Sequence, residues 1–238
     1  MQRYFVADVH LNDNQPEITA GFKRFLTLLP ANSELYILGD LFDYWIGDDL
    51  ESELHLDIAQ SLNALKQKNI TCYFVHGNRD FLLGKQYAQL CHIKLLPAIN
   101  LIADEYNKII CLHGDLLCTD DVTYQKFRKI MHNKFLQRLF LALPKFIRKG
   151  IANKLRDKSQ HSNQQKKSYV MDVNQQTVEQ LCQQYQANIM IHGHTHKLAI
   201  HQFNVDRKEI QRFVLGAWHD SFNYIHQTEN GEFNIEQI

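Results

Sequence analysis

No stretch of this chain approaches the roughly 20 consecutive apolar residues that a membrane-spanning helix needs. Cysteine is sparse: Cys72, Cys91, Cys111, Cys118 and Cys182 are the only five. Their number is odd, and no two form a CxxC pair. Reduced, buried thiols in a cytosolic protein are the expectation. Ten Gly and four Pro are too few for a fibrous chain, and 45% hydrophobic residues are too many for a disordered one. The N-terminus reaches an acid, Asp8, too soon for a secretory signal. A chain of 238 residues can bury a substantial core as one domain or little more.

Net charge is lacking too, since 26 basic residues offset 26 acidic ones. The balance conceals a segregation. From Lys126 to Lys167 there are 13 Lys or Arg and one acid, Asp157, whereas the rest of the chain has 13 basic and 25 acidic residues. A mildly acidic body therefore contains a strongly basic block, and the block points to an anionic partner such as a membrane surface or nucleic acid.

Short apolar runs recur, and each stops at a polar cluster. Tyr4-Phe5-Val6-Ala7 leads to Asp8-Val9-His10, and Leu35-Tyr36-Ile37-Leu38 to Gly39-Asp40. Cys72-Tyr73-Phe74-Val75 leads to His76-Gly77-Asn78-Arg79-Asp80, and Ile109-Ile110-Cys111-Leu112 to His113-Gly114-Asp115. Ile189-Met190-Ile191 leads to His192-Gly193-His194-Thr195-His196. Such runs read as buried strands. Helical patterns lie between the early ones, over 18–29 and along Leu54, Ile58, Leu62 and Leu65. Further strands are expected near 199–205, 210–217 and 222–226. Strand–helix alternation followed by a β-rich end predicts an α/β sandwich. From about 121 to 168 a helical segment rich in Phe, Leu, Lys and Arg interrupts the rhythm and reads as an insertion.

Ligands of α/β sheets bind beyond the carboxyl ends of the strands, so five clusters in that position can converge on one edge. Asp8 and His10 are two apart, as are His194 and His196. An extended backbone would turn both members of each pair to one face. Asp40 can bridge two cations, Asn78 offers an amide oxygen, and His113 an imidazole nitrogen. We expect one metal site from Asp8, His10, Asp40 and His196, and a second from Asp40, Asn78, His113 and His194. Two cations roughly 3.5–4 Å apart suit in-line phosphoryl displacement. The O/N donor set favours Mn, Fe(II) or Zn over Cu(I), and its oxygen content leans to Mn or Mg. Each motif alone is weak, because Gly-Asp after a strand is usually a turn. Their joint occurrence in this order is what carries weight. His76 and His192 sit close enough to act behind the ligands, His219 is unassigned, and the remaining histidines read as core or surface residues.

The series DVH, GDLFDYW, GNRD, HGD and GHTH resembles the calcineurin-like metallophosphoesterases from residue 1 to about 220. The resemblance implies an αββα sandwich with a dinuclear metal centre, Mn2+ foremost. One position departs from the general pattern, which has His where this chain has Arg79. Arginine is no general acid at neutral pH, but it can clamp a phosphate and stabilise developing charge. With the basic insertion, Arg79 narrows the resemblance to the branch acting in lipid A biosynthesis at the cytoplasmic face of the inner membrane. That branch cleaves the pyrophosphate of UDP-2,3-diacylglucosamine by water attack on the α-phosphorus, giving UMP and 2,3-diacylglucosamine 1-phosphate (lipid X). It implies Asn78, Arg79, His113 and His194 as catalytic residues. Substrate contacts are implied at Asn78, Arg79, His194, Asp121, Tyr124, Arg156, Ser159, Asn163 and Lys166. A monomer on an anionic membrane surface, without nucleic acid, is expected.

Two alternatives stand beside this reading. One is another dinuclear phosphoesterase, either a nuclease or a soluble nucleotide hydrolase. The other is a non-catalytic relative, which should lack ligands, and none is missing. The insertion is read either as an ordinary packed cap or as an amphipathic surface for lipid.

Overall fold

The computed structural model describes residues 1–49, 52–165 and 172–238, and side chains throughout these except at 156–165. The strands are β1 (Arg3–Val6), β2 (Glu34–Ile37), β3 (Thr71–Phe74), β4 (Ile93–Leu95), β5 (Ile99–Ala103) and β6 (Lys108–Leu112). They continue with β7 (Ile189–His192), β8 (Ala199–Val205), β9 (Lys208–Val214), β10 (Asn223–Gln227) and β11 (Phe233–Gln237). The helices are α1 (Pro16–Leu28), α2 (Glu53–Ala64), α3 (Lys85–Cys91), α4 (Val122–Met131), α5 (Lys134–Leu141), α6 (Lys145–Gln165) and α7 (Gln175–Tyr185).

Two sheets stack between helical layers. The first runs β11-β10-β1-β2-β3-β4 and the second β5-β6-β7-β9-β8. Residue alternation on β1 shows why two layers are needed. Tyr4 and Val6 pack among the buried residues of α1, α2 and α3, whereas Phe5 and Ala7 join Ile109, Ile191 and Phe213 of the second sheet. Both faces of this strand are thus apolar, as parallel central strands require. On α1, Ile18, Phe22, Phe25 and Leu26 fall on one helical stripe, and Pro16 sits in the first turn where its missing N–H costs nothing. On the opposite side, Val178 and Cys182 of α7 cover Ile110, Leu112 and Met190. The five cysteines are buried and free.

Parallel pairing of β1, β2 and β3 aligns Val6, Ile37 and Phe74 at one level. Parallel pairing of β6, β7 and β9 does the same in the second sheet. All five polar clusters consequently leave their strands at one edge of the sandwich. The C-terminal strands differ slightly from expectation: β9 begins two residues earlier, at Lys208, and stops at Val214, and β10 covers 223–227. Residues 215–217 leave the strand.

Helices α4 to α6 form the insertion between β6 and α7. Its two ends are pinned together: Asn174 N–H donates to Leu117 O at 2.9 Å, and Asn174 Nδ2 donates to Asp120 Oδ1 at 3.0 Å. The insertion presents much apolar surface, with Phe135 66% and Phe146 75% exposed. Between it and the body lies an apolar groove of about 200 Å³, lined by Phe81, Ile130, Leu136, Phe140, Ile151 and Leu155. The basic block is not wholly a surface feature. Arg148 is buried, donating to Ile46 O at 2.6 Å and pairing with Asp49. Arg128 Nε is 2.5 Å from Asp115 Oδ2. Both arginines tether the insertion to the body.

Candidate metal centre

Five of the seven residues expected as metal ligands hold a positive φ: Asp8 at 53°, His10 at 55°, Asp40 at 53°, His194 at 69° and His196 at 58°. The chain is therefore not extended at Asp8–His10 or His194–His196, contrary to the geometry expected from their spacing. Left-handed turns, not strand alternation, bring each pair together. For a non-glycine residue such a conformation costs on the order of 1–2 kcal/mol. The surrounding packing must hold it in place.

Neighbouring loops do the holding. The Asp8 N–H donates to Gly39 O at 3.1 Å and the His10 N–H to Asp40 O at 3.0 Å, which ties the first loop to the second. Asp80 ties the second to the third. Its carboxylate accepts the N–H of Leu41 at 2.7 Å and of Gly77 at 2.8 Å. Asp40 Oδ1 accepts the Arg79 N–H at 2.8 Å, and Asp8 Oδ2 accepts the His194 N–H at 2.7 Å. Gly193 N–H donates to His113 O at 2.8 Å. Each loop is thus fixed by a neighbour rather than by its own sequence.

The donor atoms converge. Asp8, His10 and His196 each place a ligand atom within 4.8 Å of the others, and so do Asp8, Asp40 and His113. Asp8 is common to both groups, and Asp40 belongs to the second. Asn78 Oδ1 lies 3.0 Å from His113 Nε2 and 2.8 Å from His194 Nδ1. His10 Nε2 and His196 Nε2 face each other at 3.3 Å. Asp8 Oδ1 is buried without a hydrogen-bond partner, 3.4 Å from His196 Nε2. His113 Nδ1 donates to Leu38 O at 2.9 Å, so its Nε2 points into the cluster as the second ring nitrogen. Atoms rich in lone pairs face one another here, an arrangement that cations bound between them would satisfy.

The electrostatics agree. Burial lowers His10 to about 3 and His194 to about 4, so both are neutral and carry a free lone pair at pH 7. Burial also raises Asp40, helped by the neighbouring Asp8 charge. Burial opposes charge on His113, yet Asp40, Asp8 and Asp115 outweigh it and raise that group to about 9. Two buried carboxylates thus draw positive charge into the centre. Asp8, Asp40, Asn78 and the four histidines His10, His113, His194 and His196 form an O/N set that fits hard or borderline divalent cations.

Arg79 stands at the rim, with Nη1 3.1 Å from Asp43 Oδ1 and Nε 3.7 Å from Asp40 Oδ2. Its side chain is about one-third exposed and can reach a ligand above the cluster. Tyr124 also reaches the centre: its ring lies 5.8 Å from that of His194, and its hydroxyl donates to Asp115 Oδ2 at 3.0 Å. Asp121 is buried and caps α4 by accepting the Tyr124 N–H at 3.0 Å, so its position is structural at least in part. The side chains of Arg156, Ser159 and Asn163, and Lys166 altogether, lie outside the described residues.

His192 is buried, its Nδ1 donating to Gly193 O at 2.8 Å, and His76 Nε2 bonds Leu83 O at 2.7 Å. His219 lies 6.1 Å, ring to ring, from His196. Sequence reasoning passed over Asp80 and Asp115 as agents, although each ends its own motif. An acid closing a ligand-bearing turn is the signal that marks both.

A family model described as calcineurin-like phosphoesterase matches residues 1–198. Among curated relatives, a Proteus mirabilis protein is 54% identical over 217 residues, covering 90% of each chain. A Pectobacterium atrosepticum protein is 52% identical over 239 residues, and one from Pectobacterium carotovorum 50% identical over 239. Both of these cover 100% of this chain and 98% of their own. All three relatives are named UDP-2,3-diacylglucosamine hydrolase.

Proposed function

Because the chain belongs to the calcineurin-like phosphoesterases, we propose that it hydrolyses the pyrophosphate bond of UDP-2,3-diacylglucosamine, releasing UMP and lipid X. The observation that carries this reading is a juxtaposition. The Asn78–Arg79 turn of the metal centre runs directly into Phe81, which lines the apolar groove under the insertion. One face of a single loop thus serves a phosphate and the next residues an acyl chain.

Asp8, His10, Asp40, Asn78, His113, His194 and His196 would hold two divalent cations, Mn2+ foremost. Such cations supply acidified water and neutralise phosphate charge when bound. The protein's own residues do the rest. Arg79 and Asn78 hold the attacked phosphate and spread the charge that develops on its oxygens. His194 and Tyr124 border the same space, and Arg156, Ser159, Asn163 and Lys166 complete the substrate contacts. Attack by water at the α-phosphorus needs no serine or cysteine nucleophile. Hydrolysis in ¹⁸O-labelled water should place the label in UMP; label in lipid X would refute attack at that atom.

The substrate assignment is tested by offering Mn-loaded protein UDP-2,3-diacylglucosamine, a UDP-sugar without acyl chains, and single-stranded DNA. Turnover of the first alone is the expected result, and turnover of DNA would favour a nuclease. Arg79→Ala should lower kcat by about 10²-fold, the size of losing one charge-stabilising donor, and leave the bound metal at wild-type level. A matching loss of metal would assign Arg79 to site assembly instead.

The exposed Phe135 and Phe146, set among Lys and Arg, fit an amphipathic surface seated on the cytoplasmic leaflet of the inner membrane by a monomer. Basic residues near an anionic surface contribute about 1 kcal/mol each. Binding to vesicles containing anionic lipid should therefore weaken at least tenfold between low and high salt. Salt-independent binding would remove the electrostatic part of this reading.

A further inference from the structure

Asp115 closes the HGD motif, yet it belongs to neither donor group among the described residues. Its carboxylate is turned to other partners. It is 3% exposed, and its Oδ2 accepts the Tyr124 hydroxyl at 3.0 Å and the Arg128 Nε–H at 2.5 Å. Its backbone carbonyl accepts Gln125 Nε2 at 2.8 Å, and the same amide reaches Cys118 O at 3.0 Å. All three donors belong to α4, where Tyr124 and Arg128 stand one turn apart and so share a face.

The two sides of this contact differ in how firmly the fold holds them. Asp115 opens a short turn, Asp115–Leu117, whose Leu117 is fully buried with Ile110, Leu112 and Val178. A methyl group added to Gly114 would meet Gly193 O at 2.8 Å and His194 Cβ at 3.2 Å, so this turn lies against the GHTH turn. Helix α4 has no such footing. None of its residues is buried apolar core, and Val122, Phe127 and Ile130 are exposed. Apolar packing therefore does little to fix the helix, and charge-assisted hydrogen bonds to a buried carboxylate do more. On the same helix face, the Tyr124 ring lies 5.8 Å from that of His194.

We propose that Asp115 is a positioning residue: through Tyr124 and Arg128 it seats the first helix of the insertion against the metal centre, so that a lipid-linked phosphate held by the insertion meets the ligand cluster in register. The proposal rests on the reading of the insertion as the lipid-binding part of the site, and adds the residue that joins it to the centre. Asp115 itself touches neither substrate nor cation; it acts through α4. Its loss misplaces the substrate and leaves the ligand set intact.

The test is a double-mutant cycle on metal-loaded protein. Asp115→Asn keeps the shape of the side chain and removes its charge, and Arg128→Met keeps the length of the partner and removes its donors. In each variant the KM for UDP-2,3-diacylglucosamine should rise about tenfold, with kcat within about twofold of wild type. Bound metal should stay at wild-type level. The double variant should be no worse than the worse single one, because the two residues act as a unit; effects that multiply would overturn the proposal. Deuterium uptake across 122–131 should rise in both variants, and uptake across α7 should not. Unchanged uptake in α4 overturns the proposal. So does a rise in uptake without a rise in KM, which reduces Asp115 to a structural anchor. Loss of metal from Asp115→Asn would assign it to the support of His113 instead. Arg128→Met, on the insertion side of the contact, decides the question where Asp115→Asn does not fold. A wild type inactive on this lipid, with α4 loosened in both variants, would overturn the proposed reaction and keep the anchor.

Discussion

Asp8→Ala should lower kcat/KM by at least about 10³-fold, the largest single loss expected of any substitution in this chain. Asp8 belongs to both donor groups found among the described residues, so its loss should weaken both cation positions together. Its Oδ2 also accepts the His194 N–H at 2.7 Å, and alanine leaves that buried donor unsatisfied. The GHTH turn would lose an anchor as well as a ligand. Metal analysis separates the two contributions. Bound metal per chain should fall from two to one or fewer, and adding excess Mn2+ should restore little activity. An Asp8→Ala protein holding two cations at full activity would remove Asp8 from the centre.

Gly77→Ala should be nearly as damaging, although glycine has no donor to lose. A methyl group there would collide with Asp40 Oδ1 and with the Asp40 backbone N–H. Gly77 has no positive φ, so the requirement is spatial and not conformational. Either the Asp40 carboxylate turns away or the third loop moves off the second. Overpacking of this kind costs about 1–3 kcal/mol. For a chain of this length that corresponds to a Tm lower by several degrees. Activity should fall by about 10²-fold, because the displaced atom is a proposed ligand. The control is Gly150→Ala, where an added methyl group meets nothing within 4 Å. It should leave Tm and kcat near wild type. Equal effects of the two substitutions would contradict the steric account.

The sequence foretold the layers and the edge of the site, because those follow from apolar runs that each end in a polar cluster. Val6, Ile37 and Phe74 had to be buried, and whatever followed them had to emerge together. Short edge strands were harder to see. Strand β4 has three residues, and β5 and β11 show no alternation strong enough to stand out from loop sequence. Backbone conformation at the ligands was illegible for another reason. Nothing local makes Asp8 or His194 left-handed; the Gly39 carbonyl and the Asp8 carboxylate, both remote in sequence, impose it. The fate of the basic block was partly hidden in the same way. Arg148 looks like its neighbours in sequence, and only Asp49 and the Ile46 carbonyl, about a hundred residues away, draw it inward.

The pin between Asn174 and the Leu117–Asp120 turn has an evolutionary consequence. It brings the two ends of α4–α6 together on the body, so that whole stretch behaves as a cassette plugged into a socket. The parallel registers of β6 and β7 do not depend on what the socket holds. Lineages could exchange the cassette, and with it the hydrophobic half of the ligand they recognise, while inheriting the same catalytic edge. An engineer could do likewise, splicing a foreign segment between 121 and 173 and leaving the donor loops undisturbed.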